Sequence, residues 1–464
     1  MLLIPLDFEK KSPLYEQIYM AVREEIRTGA LPFGAKLPSA RRLARHLEVS
    51  RNTVDTAYSQ LAAEGYVKAE PKRGFFVCPM EELADFNIPP EVLQEEKEPE
   101  TETVPYDFSP SGADMSQFPY HIWRKLLKDI MIDDNSELFQ KGHFQGDFEL
   151  RRAIMYYLRQ SRGVHVTAGQ IVVGAGMENL LFLLRQIFGR KKTVGIENPV
   201  YIHAHGMLRE LGFEICPISM DSSGLLVEEL EQSQAELAYV TPAHQYPTGV
   251  VMPIGRRSQL IRWAAQKKDR YILEDDYDSE FRYVGKPIPA LQGIAQSEKI
   301  IYMGTFSRAI APAIRVSYMV LPQKLMPAYQ KVGKAFSCAV SRIDQRVLTL
   351  FLTEGHFERH LNRMRSIYKE KHDLLLSCLH KMGDQVKVSG QGAGVHVITE
   401  FPVKNCRKFE QDLQKRGVRI YPLSRYWIEK CPEREQYILG FTRMTKEDMI
   451  KGTGIIREVL CLTT

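Results

Sequence analysis

The chain has 464 residues, 44% hydrophobic and 26% charged, with a formal net charge of +5. That is the composition of a globular protein long enough for two or three domains, and it excludes disordered, fibrous and disulfide-stapled classes. There is no apolar run of the roughly eighteen residues a membrane span needs, no signal-peptide pattern at Met1-Leu2-Leu3-Ile4-Pro5, and no C-x-x-C spacing among seven cysteines. The expectation is a cytoplasmic protein with reduced thiols, no metal site and no membrane partner.

Residues 13–27, PLYEQIYMAVREEIR, place Leu14, Ile18, Val22 and Ile26 at helical spacing. LPSARRLARHLEV follows, with Ser39 as an N-cap, and a turn at Glu48-Val49 leads to SRNTVDTAYSQLAAEGY, with Ser50 as the next N-cap. Val54, Ala57, Tyr58 and Leu61 form the apolar face of that helix, and Gly65 ends it. YVKAEPKRGFFV reads as a β-hairpin with Pro71-Lys72-Arg73-Gly74 at its tip. Helix, turn, helix and a basic-tipped hairpin are the plan of a winged helix-turn-helix. The second helix of the pair would enter the major groove by its N-terminus, where Arg51, Asn52 and Thr53 lie. Arg41, Arg42, Lys72 and Arg73 suit phosphate contacts. The pattern LPS.R.LA..L.VSR.TV..A...L..EG through residues 37–65 resembles the GntR family of bacterial regulators. Double-stranded operator DNA is therefore the expected partner of residues 1–79.

Residues 80–106 hold nine acids against one lysine, with four prolines. Such a stretch buries no core and reads as an acidic, Pro-rich linker. Residues 107–464 alternate apolar runs with amphipathic helical stretches, the mark of an α/β domain with a mostly parallel or mixed sheet. The strand-like runs are IVVGAG (171–176), KTVGIENP (192–199), ELAYVTP (236–242), RYILEDD (270–276) and KIIYMGT (299–305). From about residue 357, charged helices and then VHVITEF and QYILGFTRM indicate a smaller α+β subdomain.

Ligands of such sheets sit beyond the strand ends, and the polar motifs fall there. GAGMEN (174–179) opens a helix whose free N–H groups suit a phosphate. EDDYDSEF (274–281) ends a strand with carboxylates fit for a protonated ring nitrogen and a tyrosine fit for a phenolic oxygen. TPAHQYPTGVVMP (241–253) ends another, and GTFSRAIAPAIR (304–315) packs Thr305, Ser307, Arg308 and Arg315 closely together.

This order of motifs resembles the fold-type I pyridoxal-phosphate enzymes. With its head, the chain is similar to the MocR/GabR family of regulators through ENPVY, TPAHQYPTG, RYILEDDYDSEF, IYMGTFS, RVSYMVLP and LGFTRM. The resemblance implies a fold-type I large domain with a smaller C-terminal subdomain, a head-to-tail homodimer and pyridoxal phosphate as cofactor. It implies Asp275 on the pyridine nitrogen, Tyr277 on the phenolic oxygen and Tyr201 stacked on the ring. It gives the phosphate to the N–H groups of Ala175, Gly176 and Met177 with Thr305, Ser307 and Arg315. Arg443 would clamp the carboxylate of an amino-acid effector.

Two positions depart from that pattern. The residue after GTFS, a Schiff-base lysine in the family, is Arg308. Arginine stays protonated and makes no Schiff base, so covalent cofactor attachment there and transamination are not expected. Position 203, often arginine in members that sense GABA, is His203. Three readings stay open. The cofactor or its amino-acid adduct binds non-covalently; or the pocket takes another anion, with Arg308 as a clamp or paired with Asp275; or Arg308 is an engineered change. The function expected is a DNA-binding transcriptional regulator sensing a small carboxylate or phosphate ligand. The alternative is an aminotransferase that carries a DNA-binding domain.

Overall fold

A computed structural model of the chain describes residues 4–7, 12–79, 104–132, 136–189, 192–283, 285, 288–295, 298–429 and 434–463. Two units separate, Met1–Thr101 and Glu102–Thr464. Most of the expected linker, residues 80–103, lies outside the described residues. Its last expected residue does not behave as linker, because Tyr106 sits in a strand of the second unit.

In the first unit α1 (Leu14–Arg27), α2 (Ala40–His46) and α3 (Arg51–Ala63) precede the hairpin β1 (Val67–Glu70) and β2 (Gly74–Val77). Ile18, Val22 and Ile26 meet Val54, Ala57, Tyr58 and Leu61 in one buried cluster, the faces that helical spacing predicts. Ser39 Oγ accepts the Arg42 N–H at 3.3 Å, and Ser50 Oγ accepts the Thr53 N–H at 3.1 Å. Each cap satisfies a donor that the first helical turn leaves free. Gly65 leaves α3 at a φ of 78°, where a side chain would be strained.

The second unit begins with β3 (Tyr106–Asp107), α4 (Tyr120–Ile132), α5 (Phe148–Arg162), β4 (Ile171–Gly174), α6 (Met177–Phe188), β5 (Thr193–Asn198) and α7 (Ile202–Glu210). It continues through β6 (Glu214–Asp221), β7 (Gly224–Leu225), α8 (Val227–Gln232), β8 (Leu237–Val240), α9 (Ile254–Gln266), β9 (Tyr271–Asp276), α10 (Leu291–Ile294), β10 (Ile300–Thr305) and β11 (Ser317–Val320). These strands form one sheet in the order β4-β11-β10-β9-β8-β5-β6-β7. Its centre, β10 through β6, is parallel, and β11 runs antiparallel between β10 and β4. The fold is thus the expected α/β class with a mixed sheet. Strands β6, β7 and β11 go beyond the five read from sequence. Ser317–Val320 is buried throughout, so it shows no alternation that would mark a strand.

The C-terminal part holds α11 (Met326–Gly333), α12 (Arg342–Thr353), α13 (His356–His380), β12 (Lys387–Ser389), β13 (His396–Glu400), α14 (Cys406–Lys415), β14 (Val418–Arg419), β15 (Tyr421–Pro422), β16 (Tyr437–Gly440) and α15 (Lys446–Thr463). β12-β13-β16-β15 make the smaller sheet, and β14 pairs in parallel with β3. No helix among the described residues is long and apolar enough to cross a membrane.

A strap after β3 is pinned on this smaller sheet: the Gly440 N–H donates to Phe108 O at 2.9 Å. A Cβ on Gly440 would lie 2.0 Å from Ser109 O, whereas one on Gly454 in α15 would meet nothing within 4 Å. Gly440→Ala is therefore expected to cost about 3 kcal/mol of body stability. Gly454→Ala is expected to add up to ~1 kcal/mol. Thermal unfolding of both variants checks this, and equal shifts would contradict it.

Candidate functional site

Three consecutive acids enter the interior on β9, and the pleat sends them to opposite faces. Glu274 turns to α10 and accepts the Leu291 and Gln292 N–H groups at 2.7 and 3.1 Å. Asp276, on the same face, meets the Arg162 guanidinium at 2.7 Å and the Tyr302 hydroxyl at 2.5 Å. Asp275 points the other way, into a cavity of about 210 Å³. Among the described residues it has no cationic partner: Tyr239 OH donates to its Oδ2, while its buried Oδ1 receives no hydrogen bond. Asp276 also leaves one oxygen without a hydrogen bond, but its charge is met by Arg162. Burial, with the charges of Asp276 and Asp278 added, pushes the Asp275 carboxyl up to about 7, against the Tyr239 bond. The salt bridge from Asp275 to Arg308 is not formed, because Arg308 is turned onto backbone carbonyls.

Tyr201, Tyr246 and Tyr277 form an aromatic wall of this cavity, with Tyr246 edge-on to the other two at 5.3 and 5.6 Å. The Tyr277 hydroxyl lies 2.9 Å from His244 Nδ1, which is also 2.9 Å from Asp278 Oδ2. At the other end Gly176, Met177, Thr305, Ser307 and Arg315 come together, as the motifs require. Gly176 precedes α6 at a φ of 88°, and no side chain caps that helix. A Cβ there would fall 2.2 Å from the Arg315 guanidinium. The Ser317 hydroxyl donates to Thr305 Oγ1 at 2.9 Å, and the Ser307 N–H reaches the same oxygen at 3.1 Å. These groups make a small polar cradle with a bare helix start, a form suited to a phosphate.

Four positions need a qualification of the sequence reading. Ala175 does not line the cavity: its N–H is taken by Asn179 Oδ1 at 3.3 Å, because the first turn of α6 folds back on it. Arg315 is not a free cation, since Glu178 pairs with it at 2.5 Å. His203 is exposed and flanks Tyr201, with 5.3 Å between ring centroids, without entering the cavity wall. Arg443 is exposed too: it packs on Gly112, which is part of the wall, but lines a neighbouring groove with Asp114 and Lys371. Sequence reasoning also missed residues that belong to the site. Glu178 and Tyr246 sit inside motifs already noticed, so their place beside a glycine turn and a strand end was the signal. Tyr239 lies within ELAYVTP, one of the strand runs read from sequence, while Ser111 and Gly112 come from a distant segment and carry no local signal. Among the described residues no cluster of His, Cys, Asp and Glu suits a metal ion.

In the first unit Arg41, Arg42, Arg51, Asn52, Lys72 and Arg73 are all exposed, and Thr53 is half-buried with its hydroxyl 2.8 Å from that of Ser50. Two of the bases are engaged on the surface. Arg51 meets Asp55 at 3.2 Å, and Arg73 meets Glu70 at 2.5 Å while lying over the Phe76 ring. Lys72 holds the left-handed position at the hairpin tip, φ 61°.

Residues 14–77 match the gntR family of bacterial regulatory proteins, and residues 111–434 match aminotransferase class I and II. The chain is 37% identical to the uncharacterized HTH-type transcriptional regulator YdeL of Bacillus subtilis, over 95% of each chain. It is 30% identical to the probable rhizopine catabolism regulatory protein MocR of Rhizobium meliloti, over 98% of this chain and 95% of that one. Among solved structures, a kynurenine aminotransferase of Pyrococcus horikoshii superposes with a TM-score of 0.70 at 23% identity. That likeness covers 78% of this chain and 92% of the other, and it shows the fold.

A buried acid raised from its usual range binds a proton in the folded chain that the unfolded chain has lost, so stability falls as pH rises between the two values. Without ligand, Asp275→Asn is expected to gain on the wild type as pH rises from about 4 to about 7, then to hold a constant lead. The lead is on the order of a few kcal/mol. Melting curves of both proteins across that range check it, and parallel curves would refute it.

Proposed function

The chain belongs to the MocR-type transcriptional regulators, a GntR winged helix-turn-helix with an aminotransferase-like body, and we propose that the body senses pyridoxal phosphate, or its amino-acid adduct, without a covalent bond. The observation that carries this reading is Asp275, buried in the cavity with one oxygen unpartnered and no cation beside it among the described residues. A protonated ring nitrogen supplies both the missing donor and the missing charge. Tyr201 and Tyr277 would hold the ring, and Gly176, Met177, Thr305, Ser307 and Ser317 the phosphate, once Arg315 exchanges Glu178 for it.

When bound, pyridoxal phosphate supplies an electron-withdrawing ring with a reactive aldehyde. Here the chain offers that aldehyde no amine at position 308, only a guanidinium that stays protonated. The residues therefore bind and orient a ligand rather than turn it over, and an aminotransferase activity is not expected.

The regulator acts as a homodimer in the cytoplasm, and two heads read two half-sites of an operator. A ligand shifts that binding only by favouring one of two arrangements of the protein. The test is a mobility shift of the full-length protein on DNA upstream of its own gene, with and without pyridoxal phosphate and an amino-acid mixture. A retained fragment whose affinity moves at least threefold with ligand is expected. No retention at low salt would sink the reading. Arg51→Ala is expected to weaken specific binding about tenfold or more and to relax sequence preference, since an arginine at the helix start reads a base edge. Lys72→Ala is expected to weaken all sequences alike and to reduce the salt slope by about one.

A further inference from the structure

Arg308 does not dangle in the place of the family's lysine. Its Nη1 donates to Pro110 O at 2.8 Å and more weakly to Gly112 O at 3.4 Å. Its Cζ lies 5.9 Å from the centroid of the Tyr277 ring. A guanidinium carries five N–H donors in a planar fork, and only Nη1 is used: Nε and Nη2 have no protein partner among the described residues. The acids of the cavity do not neutralise it either, because Glu178 is on Arg315 and Asp275 is held by Tyr239. Arg308 is thus a half-buried cation in the cavity wall, with one edge anchored and the other open.

An open Nε/Nη2 edge matches a carboxylate in size, plane and charge. We infer that Arg308 is the carboxylate-binding residue of this cavity: its free edge takes the carboxylate of an amino acid joined to the phosphopyridoxyl group, while Nη1 keeps residues 110–112 tied to the wall. The inference rests on the reading of the ligand proposed above and moves the carboxylate contact from Arg443 to Arg308. It also gives the site a mechanical output. The strap that Arg308 holds follows directly on β3, so the ligand's charge is sensed by the segment through which the chain enters the body.

Two reduced probes isolate the carboxylate, N-(5'-phosphopyridoxyl)-L-alanine and N-(5'-phosphopyridoxyl)ethylamine, which differ only in that group. Calorimetric titration of the full-length protein is expected to show the alanine probe bound at least tenfold more tightly. Arg308→Gln should abolish that preference and leave the ethylamine affinity within threefold, and Arg443→Gln should leave the preference in place. Arg308→Lys, which keeps the charge without the fork, should retain less than a third of it and guards against a variant that fails to fold. A preference that survives Arg308→Gln, or one lost only in Arg443→Gln, overturns the inference. Equal binding of both probes by the wild type also overturns it, while the phosphopyridoxyl reading stands. Binding of neither probe overturns both. Amide exchange across residues 106–112 should slow when the alanine probe binds the wild type, and an unchanged rate would overturn the tie to the strap.

Discussion

Strand β9 carries three carboxylates into the interior in succession, and the strand's alternation decides what each does. Glu274 and Asp276 face structural partners, the start of α10 and the Arg162 guanidinium. Asp275 faces the cavity with a single tyrosine donor. An ionised carboxylate in that position is expensive unless a cation arrives. The walls around it are placed by the same sheet: Tyr277 by the end of β9, Thr305 by the end of β10 and Ser317 by the start of β11. The site is therefore a consequence of strand register, with Asp275 opposite Met303 and Thr305 opposite Ser317.

Within that frame Arg308 stands in the wall of the cavity without filling it. Its guanidinium is planar, and it finds two carbonyls of the strap and an aromatic face beside it. At the opposite end Glu178 satisfies Arg315 in the polar cradle. Both side chains are about half exposed, so the pair is screened by solvent and weak, and a dianionic phosphate is a stronger partner for the same guanidinium.

Much of this was legible before any coordinates. The head was readable because its signals are local: Ser39 and Ser50 precede helices, and Val54, Ala57, Tyr58 and Leu61 repeat at helical spacing. The strand ends were readable because short apolar runs stop abruptly at polar residues. The placement of the Arg308 and Arg443 side chains was not. Which edge of a guanidinium is occupied depends on Pro110 and Gly112, nearly two hundred positions away in the chain. The fate of the Ala175 N–H likewise turned on how the Asn179 side chain folds, which no spacing rule encodes.

The central claim is that the cavity holds its cofactor without a bond to position 308. The most direct measurement is the intact mass of the protein after saturation with pyridoxal phosphate and borohydride reduction, with absorbance recorded first. The account predicts that the wild type perturbs the cofactor spectrum yet gains no mass, while Arg308→Lys gains the mass of one phosphopyridoxyl group. A wild type that gains that mass stoichiometrically, or a pair of proteins that leave the spectrum unchanged, would contradict it.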